Sequence, residues 1–125
     1  MATSAMIINV LARKYAEDCR IKGSISVPLE ELENFVDKMP RETEIIVYCA
    51  RYTCPKSREA WNKLKELGFT HIRAYEGGMQ EWLAKGLPHE GLCEMPYLSE
   101  SLDKPPKSSG IETISAEELV ILLPK

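Results

Sequence analysis

Residues 44–68 read EIIVYCARYTCPKSREAWNKLKELG, and this stretch decides the fold. Its first part, Ile45–Tyr48, is a short apolar run typical of a buried strand, and Cys49 stands directly after it. A short loop over residues 50–54 then leads into a helix predicted over residues 55–67. A proline at the first helical position and a glycine just beyond the last support those limits. The stretch therefore predicts a strand–loop–helix unit with a thiol at the carboxyl end of the strand.

The rest of the chain repeats this alternation of apolar runs and helical patterns. The alternation predicts an α/β fold, a three-layer sandwich with a mostly parallel central sheet flanked by helices. In such sheets ligands bind at the carboxyl ends of the strands, where Cys49 lies. The predicted elements are strands over 7–10, 24–27, 44–48 and 71–75, and helices over 12–18, 29–39, 55–67 and from the Gly77-Gly78 turn to Gly86.

The composition is that of one ordinary globular domain. The chain has 125 residues, with 16 Lys and Arg against 19 Asp and Glu and a net charge of −3. No basic stripe indicates nucleic acid, and no apolar run reaches the ~18 residues that a membrane span needs. The first ten residues lack the basic start and long apolar centre of a signal peptide, which favours the cytoplasm. The sequence does not indicate an oligomeric state.

The four cysteines, Cys19, Cys49, Cys54 and Cys93, have neither the spacing of a compact disulfide framework nor the CxxC pairs of a zinc site. We therefore expect mostly free thiols in a reducing compartment and no metal. Cys49 is the reactive candidate, because unpaired N–H groups and partial positive charge at a helix N-terminus lower a thiol pKa. Its alternative is an inert buried thiol. Cys54 is either a packing residue or a resolving thiol for Cys49, and Cys19 and Cys93 are expected to be incidental.

Five segments between Ile7 and Pro88 resemble the rhodanese (sulfurtransferase) superfamily. The order and spacing of the segments carry the resemblance more than any one of them. IINVL at 7–11 resembles the family's opening strand, IKGSISVP at 21–28 the stretch that follows it, IVYC at 46–49 the strand that delivers the catalytic cysteine, and LKELGF at 64–69 with YEGGMQEW at 75–82 the closing signature.

The resemblance implies sulfane-sulfur transfer. Cys49 would attack the outer sulfur of a donor such as thiosulfate, release sulfite, and pass the sulfur from its persulfide to cyanide or a thiol. The implied partners are a small anionic sulfur donor and a thiol or cyanide acceptor, with no cofactor, nucleic acid or membrane. Backbone N–H groups of the loop are expected to form a nest for the persulfide, with basic side chains nearby. The expected substrate-binding residues are Ala50, Arg51, Tyr52, Thr53, Cys54, Lys56 and Arg58.

Three departures from the family pattern bear on function. Asn9 and Leu11 stand where Asp and Arg are usual, so a structural ion pair is missing. The loop after Cys49 is about two residues longer than the common form, and Lys56 aligns with the Arg that usually ends it. These departures keep two alternatives open: a non-catalytic binding or regulatory module with the same fold, and a cysteine-based phosphatase or arsenate reductase. The second is disfavoured because a lysine cannot make the bidentate clamp of an arginine.

The end of the chain carries a pattern that the family usually has at its beginning. Residues 114–119 read ISAEEL and contain a capping box. We expect one domain over residues 1–125, with its core over 6–90, a Pro/Ser-rich connector over 91–110, and the family's N-terminal strand and helix over 111–123. This arrangement predicts a circular permutant, and the alternative is a fragment that ends inside a following repeat. The permutant would be contradicted by joint solvent exposure of Leu119, Ile121 and Leu122.

Overall fold

The computed structural model describes residues 5–102, 104 and 110–123. Four parallel strands form the central sheet, and two further short strands pair antiparallel beside it. The strands are β1 (Met6–Asn9), β2 (Arg20–Ile21), β3 (Ile25–Ser26), β4 (Ile45–Tyr48), β5 (Ile72–Tyr75) and β6 (His89–Glu90). The helices are α1 (Arg13–Asp18), α2 (Leu32–Val36), α3 (Lys56–Glu66), α4 (Gly78–Ala84) and α5 (Ala116–Ile121).

The central sheet has the order β3–β1–β4–β5, which confirms the predicted mostly parallel α/β sheet. Strand β4 lies in its interior, and all four of its residues are buried. Its side chains face two apolar clusters, one on each side of the sheet. A continuous apolar run is therefore required here, because both faces of a central parallel strand are covered.

The helix predicted over 29–39 is shorter in the structure. A 3₁₀ turn, Leu29–Glu31, precedes α2, which ends at Val36. Leu32 and Val36 are buried, whereas Phe35, predicted on the apolar face, is 39% exposed. The segment thus buries a narrower stripe than predicted, and Leu29 and Met39 at its two ends are only partly buried.

A neutral hydrogen-bond network occupies the place of the missing ion pair. Asn9 is fully buried, and its amide nitrogen donates to the Tyr48 hydroxyl at 3.2 Å while its side-chain oxygen accepts from the Leu11 N–H at 2.9 Å. The Tyr48 hydroxyl also accepts from the Ile21 N–H at 3.0 Å and shares a 2.7 Å hydrogen bond with Ser24. Each buried polar group has a partner, so the network ties β1, β2 and β4 together without charge.

The expectation of mostly free thiols, with Cys19 and Cys93 incidental, is wrong for these two residues. These two residues form a disulfide across 74 positions of sequence, with their Cα atoms 4.5 Å apart. The neighbouring Asp18 holds the two segments together. Its carboxylate accepts hydrogen bonds from the N–H groups of Glu94 and Met95, and its backbone carbonyl accepts one from the N–H of Cys93. Spacing along the chain gave no sign of this pair, because the fold rather than the sequence brings the two segments together.

Reduction of the Cys19–Cys93 disulfide is expected to lower the free energy of unfolding by about 3–4 kcal/mol, because the crosslink closes a long loop of the unfolded chain. Urea unfolding with and without a reductant measures the difference. The double variant Cys19→Ser with Cys93→Ser serves as the control, since it should unfold alike under both conditions. Equal midpoints for the oxidised and reduced wild-type protein would contradict the expectation.

The C-terminal segment joins the outer edge of β5. The Ala74 N–H donates to Glu112 at 2.9 Å, and the Ile114 N–H donates back to the Ala74 carbonyl at 3.1 Å, so Thr113 pairs parallel with Ala74. Helix α5 begins at the predicted capping box of Ser115 and Glu118. Leu119 is fully buried and Leu122 partly so, whereas Ile121 is 77% exposed. The joint exposure that would contradict a permutant is absent, and permutation itself stays a prediction.

The region predicted as an extended connector over 91–110 contains ordered structure in its first part. A 3₁₀ helix, Pro96–Ser99, packs against α4 and buries Leu98. The buried Gln80 side chain holds it, donating to the Tyr97 carbonyl at 2.9 Å. Residue 103 and residues 105–109 of the connector lie outside the described part of the chain. Within that part, no helix has the length and apolar character that crossing a bilayer demands.

Candidate active site: a cysteine pair at the end of the central strand

Cys49 lies at the carboxyl end of β4, as the sequence predicts, and its side chain is completely shielded from solvent. Its thiol donates to the Cys54 carbonyl oxygen at 3.5 Å. Its own carbonyl accepts from the Met79 N–H at 3.0 Å, and the Ala50 carbonyl accepts from the Gln80 N–H at 2.9 Å. The strand end is thus fixed from one side by the first turn of α4 and from the other by the loop that returns to α3.

The close approach of α4 depends on Gly78. This residue has φ +66°, and a Cβ placed on it would lie 2.6 Å from the carbonyl oxygen of Cys49, the carbonyl carbon of Ala50 and the nitrogen of Arg51. Real Cβ atoms do not tolerate such contacts with backbone. The glycine pair, interpreted from sequence as a simple turn, therefore also gives the cysteine loop the room to lie against α4.

The loop between the two cysteines folds back on itself. The Cys54 N–H donates to the Arg51 carbonyl at 3.0 Å, which closes a turn. The N–H groups of Ala50 and Lys56 lower the pKa of Cys54, and Ser57, in the first turn of α3, lowers that of Cys49. The longer loop therefore places a second sulfur close to the end of β4, and the backbone nest expected around Cys49 stays a prediction.

The two thiols interact, and their acidities differ. The interaction with the Cys54 side chain and burial raise the pKa of Cys49 well above its usual range, against the lowering effect of Ser57. The same interaction, with the N–H groups of Ala50 and Lys56 and the Lys56 charge, lowers the pKa of Cys54 to about 6, although burial opposes it. At neutral pH the pair therefore holds its negative charge on Cys54, with Cys49 as the protonated donor.

Alkylation should reveal this order of acidities. With iodoacetamide, the rate of Cys54 modification is expected to follow a midpoint near pH 6, because the thiolate is the reacting form. Cys49 should remain unmodified throughout, since it is buried and protonated. Peptide mass mapping after short reactions from pH 4 to pH 9 measures both rates, and the variant Cys54→Ser is the control. Faster labelling of Cys49, or a Cys54 midpoint near the ordinary thiol value, would contradict the assignment.

The three basic side chains predicted in the site differ in their ion pairs. Arg51 pairs with Glu100 at 2.6 Å, and Arg58 pairs with Glu76 at 2.6 Å. Lys56 makes no ion pair with the residues that the structure describes, and its charge favours the Cys54 thiolate. Of the three basic side chains, Lys56 is therefore the one whose charge acts on a cysteine of the site, whereas the charges of the two arginines are partly neutralised by glutamates.

Of the remaining predicted site residues, Tyr52 and Thr53 form the outer part of the loop, with Thr53 exposed. The Tyr52 hydroxyl donates to one oxygen of Glu81 and the Tyr75 hydroxyl to the other, both at 2.8 Å. The pKa of each tyrosine is raised by burial and by this carboxylate. The sequence analysis assigned no role to Glu81 or to Ser57. Only the role of Ser57 could have been predicted, because Ser57 stands in the first turn of a helix that begins just after the cysteine loop.

Comparison with known proteins agrees with this architecture. The family model described as Rhodanese-like domain matches residues 6–85, more than half of the chain. The chain belongs to the rhodanese-like family. A rhodanese_3-like domain of the Alr3790 protein from Anabaena is 30% identical, with a TM-score of 0.64, over 70% of this chain and 99% of that one. The human single-domain sulfurtransferase TSTD1 is 27% identical, with a TM-score of 0.59, over 66% of this chain and 83% of that one.

A curated relative places a similar segment in a longer protein. The HTH-type transcriptional regulator Rv0324 of Mycobacterium tuberculosis is 24% identical over 87 residues, which cover 70% of this chain. The rhodanese-like chain described here matches only 38% of that regulator's length. The similarity therefore concerns one region of the regulator.

Proposed function

We propose that this rhodanese-like chain is a sulfurtransferase that carries a sulfane sulfur as a persulfide on Cys49. The observation that supports the proposal best is the position of Cys49 at the end of the central strand, facing the first turn of α3, where Ser57 lowers its pKa. Similarity to the human single-domain sulfurtransferase is consistent with it. Thiosulfate, cyanide and small thiols are the proposed donor and acceptors.

The proposed reaction needs no redox cofactor. A thiolate of the site attacks the outer sulfur of thiosulfate, the sulfur–sulfur bond of the donor breaks, and sulfite departs with the bonding electrons. The Cys49 persulfide then gives its terminal sulfur to cyanide, which forms thiocyanate and regenerates the thiolate. Ser57 would hold the charge on sulfur, and the cation of Lys56 would favour approach of an anionic donor.

A second candidate is the non-catalytic regulatory module. The complete burial of Cys49 favours it, since a solvent-borne donor cannot touch that sulfur in this structure. The similarity of the chain to part of a transcriptional regulator points the same way. A phosphatase or arsenate reductase is favoured less, because Arg58, the first arginine after the loop, is engaged by Glu76 at 2.6 Å.

One experiment separates these candidates. The reduced protein is treated with thiosulfate and desalted, and its intact mass is measured by mass spectrometry. A persulfide is expected to increase the mass by about 32 Da. Thiocyanate should then form on addition of cyanide. Neither product should appear if the chain is a non-catalytic module. Hydrolysis of an aryl phosphate, without added mass from thiosulfate, would favour the phosphatase.

A cytoplasmic location is a separate part of the proposal. It was predicted from the N-terminal sequence, but the Cys19–Cys93 disulfide is more typical of oxidising compartments. The redox state of the two cysteines in cells tests the location. Cell extracts are quenched with acid and alkylated, and the Cys19 and Cys93 peptides are mapped. Free thiols would support the cytoplasm, and a disulfide would oppose it.

A further inference from the structure

The two sulfurs of the site have very different access to solvent. Cys49 is 0% exposed, whereas Cys54 is partly exposed and lines an open pocket of about 340 Å³. Lys104 and Arg58 also line this pocket, and although Arg58 is paired with Glu76, the two cationic side chains favour an anion there. A dianionic sulfur donor that enters the pocket therefore meets the sulfur of Cys54 and not that of Cys49.

The local donors prepare Cys54 to react first. The N–H groups of Ala50 and Lys56 lower the pKa of its thiol, and the Cys49 thiol lies beneath the loop, where it donates to the Cys54 carbonyl oxygen at 3.5 Å. A thiolate stabilised in this way at the edge of a pocket with cationic side chains is placed for nucleophilic attack. Cys49, which contacts this sulfur from the buried side, is the only cysteine of the described residues placed to receive a sulfur from it.

We infer that Cys54 is a catalytic residue of the proposed reaction: it takes the sulfane sulfur from the anionic donor in the pocket and relays it to the buried Cys49. This inference rests on the proposed sulfurtransferase function. It assigns to the second cysteine the first covalent step, in place of the packing or resolving role that its position in the sequence suggested.

The relay balances without an oxidant or reductant. The Cys54 thiolate attacks the outer sulfur of thiosulfate, a new sulfur–sulfur bond forms, and sulfite leaves with the electron pair of the broken bond. The Cys49 proton then passes to the terminal sulfur of the Cys54 persulfide. The Cys49 thiolate attacks that same sulfur, its bond to Cys54 breaks, and Cys54 leaves as a thiolate.

The acidities of the pair favour this direction. A thiol of low pKa is the better leaving group, and the thiolate of a thiol of high pKa is intrinsically the stronger nucleophile, although less of it is ionised. The lowered pKa of Cys54 and the raised pKa of Cys49 therefore both favour the persulfide on Cys49 at the end of the relay.

Rapid quench with peptide mapping tests the relay. Reduced wild-type protein is mixed with thiosulfate without oxygen, quenched at intervals, alkylated and digested, so that the added sulfur is assigned to one cysteine. In the wild-type protein the sulfur should end on Cys49. In Cys49→Ser, whose hydroxyl can still donate to Cys54, it should stay on Cys54. In Cys54→Ala, loading of Cys49 should be more than about tenfold slower, because the buried thiol must wait for the loop to open.

The outcomes separate the inference from the function on which it rests. Loading of Cys49 at the wild-type rate in Cys54→Ala, or failure of Cys49→Ser to load, would overturn the relay while sulfur transfer stands. Absence of added sulfur from both cysteines of the wild-type protein would remove both. The variant Cys54→Ser, closer in size to cysteine, is measured alongside Cys54→Ala, and unchanged urea midpoints show that slow loading does not come from a collapsed loop.

Discussion

Replacement of Cys49 by alanine is expected to reduce thiocyanate formation from thiosulfate and cyanide at least about 30-fold at pH 7. The variant removes the proposed persulfide carrier. It also removes the side-chain interaction that contributes most to the low pKa of Cys54. Return of Cys54 to an ordinary pKa of about 8.5 would cut its thiolate fraction at pH 7 from about 90% to about 3%. Steady-state rates with both proteins at equal concentration measure the effect.

Two further measurements test whether the loss of activity is specific to Cys49. The variant Thr70→Ala is a suitable control, because Thr70 is exposed and precedes β5, at the end of the sheet opposite to the cysteine pair. It should keep the wild-type rate. The rate of Cys49→Ala should also stay below that of the wild-type protein as the pH rises toward 9, since ionisation of Cys54 does not replace the missing carrier. Wild-type turnover by Cys49→Ala at pH 7 would show that Cys49 is a structural thiol and that sulfur passes directly from Cys54 to the acceptor.

The second large effect is expected for Gly78→Ala. The new Cβ would lie 2.6 Å from backbone atoms of the cysteine loop, so the loop or α4 must move. Overpacking of this kind costs about 1–3 kcal/mol, and a left-handed φ adds about 1–2 kcal/mol for any residue with a Cβ. The variant should therefore lose about 2–5 kcal/mol of unfolding free energy. Sulfur transfer should fall as well, because the donors to Cys54 lie on the displaced loop.

The chain offers a matched control at Gly86. Its φ is +67°, nearly the same as that of Gly78, but a Cβ there would meet no atom within 4 Å. Gly86→Ala should thus show only the left-handed penalty and keep its activity. The difference between the two urea unfolding free energies isolates the close contact at the cysteine loop. Equal losses for both variants would show that the loop accommodates the extra methyl group.

Much of the fold could be predicted from local patterns. The apolar run of Ile45–Tyr48 predicts a strand covered on both faces, and the structure confirms it. The capping box of Ser115 and Glu118 correctly marks the start of α5. These predictions succeed because burial of a central strand and satisfaction of a helix N-terminus depend on residues close in sequence.

Contacts between distant segments were not predictable in the same way. The partner of Cys19 is 74 positions away, and the Pro96–Ser99 turn is held by Gln80 of α4. No periodicity encodes such pairs, since they form only after the sheet has fixed the relative positions of the segments. The same limit applies to Glu81, whose carboxylate joins the hydroxyls of Tyr52 and Tyr75.

The sequence by itself determined that a cysteine would stand at the carboxyl end of a buried parallel strand and that a helix would begin beyond a short loop. Strand burial and helix start are local properties, so residues 44–68 were sufficient for this. Only the tertiary structure decided which sulfur faces solvent and which faces the core. The loop folds back against α4 at Gly78, and the N–H groups of Ala50 and Lys56 thereby lower the pKa of Cys54. Access and charge within the pair depend on that three-dimensional path.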